Sequence, residues 1–147
     1  MAAELKPKTL SEALDALSVG QRKIVGGGTD LMVRYRSWTD LPADIPARPL
    51  FTGGIDELHV LKKSADGLHI GGAVTLSELL ADPETPSCLR PAIRAMAAPG
   101  LRHVATLAGH TRNASPAWDT LPALHALDAA VPLRHKAHSC RLPGSAF

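Results

Sequence analysis

The sequence predicts a mixed α+β (α/β-like) fold, because short strand patterns alternate with amphipathic helix patterns along most of the chain. The clearest case is the succession of helix, strand, glycine turn and helix over residues 9–36. A length of 147 residues, 45% of them hydrophobic, is enough for one domain, or for two small lobes, around a buried core. Prolines near residues 41–49 predict a connecting loop, which divides the chain into a lobe at 1–50 and a larger lobe at 51–147.

The first lobe is predicted to begin with a helix. Thr9 and Glu12 have the spacing of a capping box, apolar residues follow on one face, and Gly20 stands where the helix should end. Residues 22–25, RKIV, form a short strand pattern that stops at three consecutive glycines. Residues 29–36 can then form a second helix, with Asp30 in its first turn, where a negative charge suits the helix dipole.

The second lobe is predicted to contain further short strands and helices. A strand at 50–54 is weakly indicated, and two strands are predicted on either side of a turn at 64–67. Thr75 with Glu78 offers a capping box for the next helix. The remaining predicted elements are a helix over 87–100 that ends at Pro99 and Gly100, a strand over 104–109, a helix over 119–130 and a strand over 131–135.

Composition and charge exclude several classes of function. Aromatic residues make up only 3% and the net charge is +2, whereas nucleic-acid binders rely on stacking rings or a basic face. Two cysteines are too few for a disulfide scaffold and fit a reducing compartment; Cys88, in an apolar helical pattern, is expected to be buried. No secretory signal and no uncharged apolar run of about 20 residues is visible. We therefore expect a cytoplasmic protein with no membrane span and no nucleic-acid partner.

The three glycines, Gly26 to Gly28, raise the question of what approaches this backbone so closely. A strand that ends in glycines and opens a helix points several amide N–H groups into one space, which suits a phosphate or pyrophosphate. Glycine also permits a positive φ and removes the Cβ that would block a ligand. The motif has neither the G-x-G-x-x-G spacing nor a P-loop lysine, so a tight turn with nothing bound is an equally good interpretation of this segment by itself.

A second glycine-bearing turn is predicted where the strand at 104–109 ends. Small and hydroxylated residues, NASP at 113–116, follow it and precede Asp119. Two such turns on either side of one cleft can hold an extended dinucleotide. His135, His138 and Cys140 have zinc-ligand chemistry, but their spacing fits no standard module and a fourth ligand is not apparent, so a loop without a metal is the preferred interpretation.

Three segments resemble those of a known family: GGGTDLMV, HIGGAVTLSELL and LRHVATLAGHTRNASPAWDTLPALHALDA. They are similar to the FAD-binding subunit of the molybdenum hydroxylases, the xanthine dehydrogenase and carbon monoxide dehydrogenase type. Its two turns have the patterns A-G-G-T-D-L and R-N-x-A-T-x-G-G-N-x-x-N-A-S-P-x-x-D. The resemblance extends from Thr9 to the C-terminus, and it implies a two-lobed, PCMH-type FAD-binding fold with a complete N-terminal lobe and a truncated second lobe.

The resemblance also assigns residues to the cofactor. It implies that the first turn wraps the FAD pyrophosphate with its amides, and that the second segment contacts the pyrophosphate and the flavin. The implied residues are Ile24, Val25, Gly26, Gly27, Gly28, Thr29, Asp30 and Leu31 in the first turn, and Thr106, Leu107, Ala108, Gly109 and His110 in the second segment. Asp119 occupies the place of an aspartate that hydrogen-bonds the cofactor. Met96 falls where some relatives place an aromatic residue beside the flavin, although helix core is the preferred interpretation for a methionine.

Three residues depart from the family pattern in the second segment. Ala108 and His110 stand where the pattern has glycine and asparagine, and Trp118 stands where a small residue is usual. If position 108 requires a positive φ, alanine costs about 1–2 kcal/mol there. His110 can donate a hydrogen bond as asparagine does, but its ring is bulkier.

The resemblance implies a subunit of an oxidoreductase. In that family, electrons pass from a molybdenum cofactor on a large subunit, through 2Fe-2S clusters on a small subunit, to FAD and then to NAD or another acceptor. Because the flavin carries the chemistry, no catalytic side chain is expected. Two alternatives stay open: a nucleotide or phosphate binder without redox function, and a fragment that folds but holds no cofactor.

Overall fold

The computed structural model describes residues 4–37, 45–113, 119–136 and 138–144. Its helices are α1 (Leu10–Val19), α2 (Thr29–Arg34), α3 (Leu76–Ala81), α4 (Leu89–Ala95), α5 (Pro99–Arg102), α6 (Leu107–Asn113) and α7 (Leu121–Ala126), with a 3-10 turn at Asp56–Leu58. Its strands are β1 (Arg22–Val25), β2 (Arg48–Phe51), β3 (Leu61–Ser64), β4 (Gly67–Ile70), β5 (Val131–His135) and β6 (His138–Leu142). Within the described residues the strands form three two-stranded sheets, and the predicted mixed α+β class is confirmed.

The first sheet is parallel and belongs to a βαβ unit. β1 pairs with β2 so that Val25 lies opposite Phe51, and α2 is part of the connection between the two strands. Leu5 forms a further parallel bridge to β2. Both strands end at the same edge of the sheet, where Thr52 donates its amide and its hydroxyl to the Val25 carbonyl at 3.0 and 3.2 Å.

Helix α1 forms as predicted and packs near this sheet. The Thr9 hydroxyl accepts the Glu12 amide at 3.2 Å, but the Glu12 carboxylate accepts the Lys8 amide at 2.8 Å instead of the Thr9 amide. One half of the predicted capping box is therefore formed. The buried residues Ala13, Leu50 and Ile55 make a small core cluster, which Leu5, Leu10, Ala16, Leu17 and Leu58 extend.

The two strands predicted around residues 64–67 form the antiparallel β3–β4 hairpin, with Ser64 opposite Gly67. The following helix, α3, begins with the complete capping box that the sequence predicts. The Thr75 hydroxyl accepts the Glu78 amide at 3.2 Å, and the Glu78 carboxylate accepts the Thr75 amide at 2.7 Å. Two orphan amides at the start of α3 are thereby satisfied.

The main core cluster is built largely by the helices of the second half. Its buried residues are Val74, Leu76, Leu79, Leu89, Ile93, Met96, Leu107, Ala123 and Leu124. The smaller cluster comes from residues before 59 and the main cluster from residues after 60. Residues 38–44, which include much of the predicted boundary loop, lie outside the described residues.

The prediction of a strand over residues 104–109 is wrong. Thr106 makes only an isolated antiparallel bridge to Thr75, and α6 begins at Leu107. The Thr106 hydroxyl accepts the Gly109 amide at 3.0 Å, which is the geometry of a helix N-cap. The β-branched residues that suggest a strand therefore lead into a helix cap, and the predicted second glycine turn is the first turn of α6.

Two smaller expectations are also wrong. The helix predicted over 87–100 consists of α4 and α5, and Pro99 begins α5 instead of ending the preceding helix. Cys88 immediately precedes α4 and is exposed, not buried.

The strand predicted over 131–135 is β5, and it pairs with β6 in an antiparallel hairpin. His135 lies opposite His138, and Cys140 lies opposite Leu133. Among the described residues, no group of three or more His, Cys, Asp or Glu side chains is arranged to hold a metal ion. None of the described helices combines the length and the hydropathy needed to cross a membrane.

Candidate functional site

A different feature of the structure accounts for glycine at each of the three consecutive positions. A Cβ on Gly26 would lie 3.1 Å from the Thr106 hydroxyl oxygen. A Cβ on Gly27 would lie 1.7 Å from the carbonyl oxygen of Val104, which is impossible without moving backbone. Gly28 has a φ of +71°, in the left-handed region that side chains disfavour. What approaches this backbone so closely is thus the chain itself, at residues 104–106.

The contacts of Gly26 and Gly27 place the two predicted segments side by side. A further link lies beyond the glycines, where the Arg34 Nη2 atom of α2 donates to the side-chain oxygen of Asn113, in α6, at 3.1 Å. The segments are 79 residues apart at this bond, so the juxtaposition is a property of the tertiary fold. Residues 114–118, which contain the rest of the NASP motif and Trp118, lie outside the described residues.

The glycine turn leaves amide groups open at the start of α2. The first amides of a helix have no acceptor within the helix. Gly28 is the N-cap residue and supplies no side-chain hydrogen bond to them. Among the hydrogen bonds of the described residues, none is donated by the amides of Thr29, Asp30 or Leu31, so these amides are available to an acceptor such as an anion.

The second segment begins a helix where the sequence predicts a strand and a turn, but it still lies beside the first segment. Ala108 and Gly109 lie in the first turn of α6, and Ala108 is not among the described residues with positive φ. The strain considered for alanine at this position is therefore absent from the described backbone. Thr106 is 5% exposed and contributes its hydroxyl to the cap of α6.

A groove of about 780 Å³ runs along both segments. From the first segment it is lined by residues 24–31, and from the second by Thr106, Ala108, Gly109 and His110. Apolar residues of the smaller core cluster, among them Leu10, Leu17 and Leu50, line another part of it. A second depression, of about 770 Å³, lies beside α1 and contains none of the predicted site residues.

The remaining predicted site residues lie elsewhere. Leu107 is 6% exposed and Met96 is 8% exposed, and both belong to the main core cluster instead of the groove lining. Asp119 is exposed and acts electrostatically on His110. Burial lowers the pKa of the half-buried His110 imidazole, and the Asp119 carboxylate opposes this effect only in part. The neutral form of His110 is therefore favoured at neutral pH.

Several residues that line the groove are not among those that the sequence predicts for the site. These are chiefly Lys23, Arg34, Thr52, Arg112, Asn113, Pro132 and Arg134. Thr52 could have been found, because it follows a strand that is parallel to β1, and the carboxyl ends of parallel strands meet at one edge. Lys23, Arg34 and Arg112 are close in sequence to the predicted segments, but no motif marks them. Arg134 belongs to β5, and only the fold brings it to the same groove.

The groove fits an anionic dinucleotide in size and in chemistry. Its volume of about 780 Å³ falls within the roughly 300–1,000 Å³ of typical ligand sites. Lys23, Arg34, Arg112 and Arg134 line it, whereas Asp30 is the single carboxylate among its described lining residues. Open amides and cations suit phosphates, and the apolar part suits a ring system.

Comparison with known proteins points to one family. The sequence profile of the family described as "FAD binding domain in molybdopterin dehydrogenase" matches residues 2–147. The nicotinate hydroxylase hnxS of Emericella nidulans is 30% identical over an alignment of 161 residues that covers 97% of this chain and 12% of that protein. The nicotinate dehydrogenase FAD-subunit of Eubacterium barkeri is 30% identical over 136 residues, or 86% of this chain and 44% of that protein.

A solved structure has the same fold. It is the carbon monoxide dehydrogenase from Hydrogenophaga pseudoflava that lacks the Mo-pyranopterin moiety of the molybdenum cofactor. The match has a TM-score of 0.84 at 21% identity, and it covers 100% of this chain and 53% of the solved chain. The chain thus spans about half of this structure and less than half of the two curated relatives.

Proposed function

The chain belongs to the family of FAD-binding domains in molybdopterin dehydrogenases, and from this premise we propose that its groove binds FAD. The observation that carries the proposal is the contact of Gly27 with the Val104 carbonyl, because it brings two segments of the family pattern to one groove. Neither segment alone distinguishes a ligand site from a tight turn. Together they supply open amides, cations and an apolar surface on the scale of a dinucleotide.

We propose the following division of roles among the residues. The amides of residues 26–31 would hold the diphosphate together with the second segment, which lines the groove with Thr106, Ala108, Gly109 and His110. Ile24 and Val25 end β1 at the groove, while Leu107 and Met96 support the second segment from the core. The Asp119 carboxylate, which acts electrostatically on His110, would accept a hydrogen bond from the cofactor. A bound flavin would supply reversible electron transfer, for which side chains have no substitute.

The wider assignment is an electron-transfer subunit of a molybdenum-containing hydroxylase or dehydrogenase in the cytoplasm. The proposed partners are a large subunit with the molybdenum cofactor and a small subunit with 2Fe-2S clusters, and the electron acceptor is NAD or another oxidant. We further propose two lobes, the first at residues 1–50 and the second from residue 51 onward. The smaller core cluster ends before residue 59 and the main cluster begins after residue 60. These clusters support a lobe boundary near residue 59, somewhat after the predicted boundary between 50 and 51.

A nucleotide binder without redox function is the second candidate. The excess of cationic over acidic residues along the groove favours it, because such a lining attracts any nucleotide diphosphate. A purified chain that binds ADP but not FAD would favour this candidate over the flavoprotein.

The absorption spectrum of the purified chain, after incubation with FAD and gel filtration, tests the proposal. The expected result is a yellow protein whose flavin bands elute with the chain. A colourless protein that shows no binding heat on titration with FAD would contradict it. Expression with a molybdenum-cofactor subunit and an iron–sulfur subunit from the same genome tests the wider assignment, and co-purification of the three is the expected outcome.

A further inference from the structure

Arg34 ends α2 and lies in the wall of the groove. Its Nη2 atom forms an ion pair with the Asp30 carboxylate at 3.2 Å and donates to the Asn113 side-chain oxygen at 3.1 Å. A guanidinium carries five N–H donors in a rigid fork. Within the described part of the chain, both bonds use Nη2, so the donors on Nε and Nη1 remain for another acceptor.

The two partners hold this guanidinium at the junction of the two segments. Asp30 belongs to the first segment, and Asn113 ends the helix that the second segment opens. An arginine with one nitrogen fixed by two acceptors loses less freedom when it binds a ligand. The Arg34 side chain is 55% exposed, so its other donors are accessible to a ligand.

The charges around Arg34 favour an anion. Lys23, Arg112 and Arg134 line the same groove, and the one carboxylate among the described lining residues, Asp30, is already paired with Arg34. Phosphate oxygens, like carboxylate oxygens, match a guanidinium fork, because two parallel N–H groups can bind two oxygens.

We propose that Arg34 binds the diphosphate of the nucleotide ligand directly, and that it makes the groove selective for ligands with a diphosphate over ligands without phosphate. This role rests on the nucleotide binding proposed above. Asp30 and Asn113 are positioning residues, since they orient the guanidinium and need not touch the ligand.

Calorimetric titrations of the whole chain with FAD, ADP and riboflavin test the role of Arg34. Arg34→Gln should bind FAD and ADP about tenfold more weakly, the scale of a lost charge-assisted hydrogen bond. Its affinity for riboflavin, which has no phosphate, should not change. Lys62→Gln is the matched control, because Lys62 is an exposed cation of β3 outside the groove, and it should bind all three ligands as the wild type does.

The outcomes separate this inference from the proposed function. If Arg34→Gln binds FAD and ADP as tightly as the wild type, or loses riboflavin equally, Arg34 has no direct phosphate contact. A third outcome is that the wild type binds ADP but not FAD, and that Arg34→Gln binds ADP more weakly. This result would support the phosphate contact of Arg34 and contradict the flavoprotein function. Should Arg34→Gln not fold, Arg34→Met carries the same test: it removes the charge and every side-chain N–H donor, and an unchanged ADP affinity would overturn the proposal.

Discussion

Gly27→Ala tests whether the two segments must touch. The added Cβ would lie 1.7 Å from the Val104 carbonyl oxygen and 2.4 Å from its carbon, whereas real Cβ contacts stay beyond 3.0 Å. The Val104 backbone must therefore retreat by about 1.3 Å, and it cannot do so by a side-chain rotation. Overpacking costs about 1–3 kcal/mol, and a clash with backbone should reach the upper end. For a chain of this size, about 3 kcal/mol corresponds to a fall in Tm of about 6–12 °C.

Thermal unfolding followed by circular dichroism measures this effect, with Gly53→Ala as the control. A Cβ on Gly53 meets no atom within 4 Å, so that variant should unfold within a few degrees of the wild type. Gly27→Ala should in addition bind FAD more weakly, because the clash pushes the two segments apart. If both variants unfold at the wild-type temperature, the close contact between the segments does not exist.

Three further predictions concern α6, the α3 capping box and the β3–β4 turn. Ala108→Gly should destabilise the chain by about 0.5–1 kcal/mol in urea unfolding, because glycine weakens a helix, and a stabilised variant would contradict the helical conformation of this segment. The Thr75 amide lowers the pKa of Glu78 below its ordinary value of 4.5, so the capping box stabilises the fold above that pH and loses its contribution as the pH falls through the lowered pKa. The free energy of unfolding should therefore differ less between wild type and Glu78→Gln as the pH drops below about 4.5, and a difference independent of pH would count against this role. The Ser64 hydroxyl is the largest cause that lowers the pKa of Asp66 to about 2, so an NMR titration of Ser64→Ala should show a higher midpoint for Asp66; an unchanged midpoint would remove the hydroxyl as the cause.

Local signals in the sequence predict much of the fold. The Thr75 and Glu78 capping box lies wholly within one turn, and the strand at 22–25 is marked by the glycines that end it. The strand predicted over 104–109 fails because threonine, although it is β-branched and favours strands, is also a good helix N-cap through its hydroxyl. Thr106 takes that role and makes only an isolated bridge to Thr75. Local pattern cannot decide between these outcomes, since the bridge joins residues 31 positions apart.

The candidate site is predicted in location but not in detail. The glycines indicate a backbone that something approaches, yet only the fold shows that the nearest atom to Gly27 belongs to Val104. The partners of Arg34 are equally invisible in sequence, because Asn113 reaches it from another helix. Pro132 and Arg134 enter the groove from β5, a strand with no motif of its own.

Amide chemical shifts of the isotope-labelled chain, recorded during a titration with FAD, test the central claim most directly. The claim is that two segments, around Gly27 and around Thr106, form one binding site. Shifts should change together, with one dissociation constant, at residues 26–31 and 106–110, and those of the β3–β4 hairpin should stay fixed. Changes confined to one segment, or to residues outside both, would contradict the account.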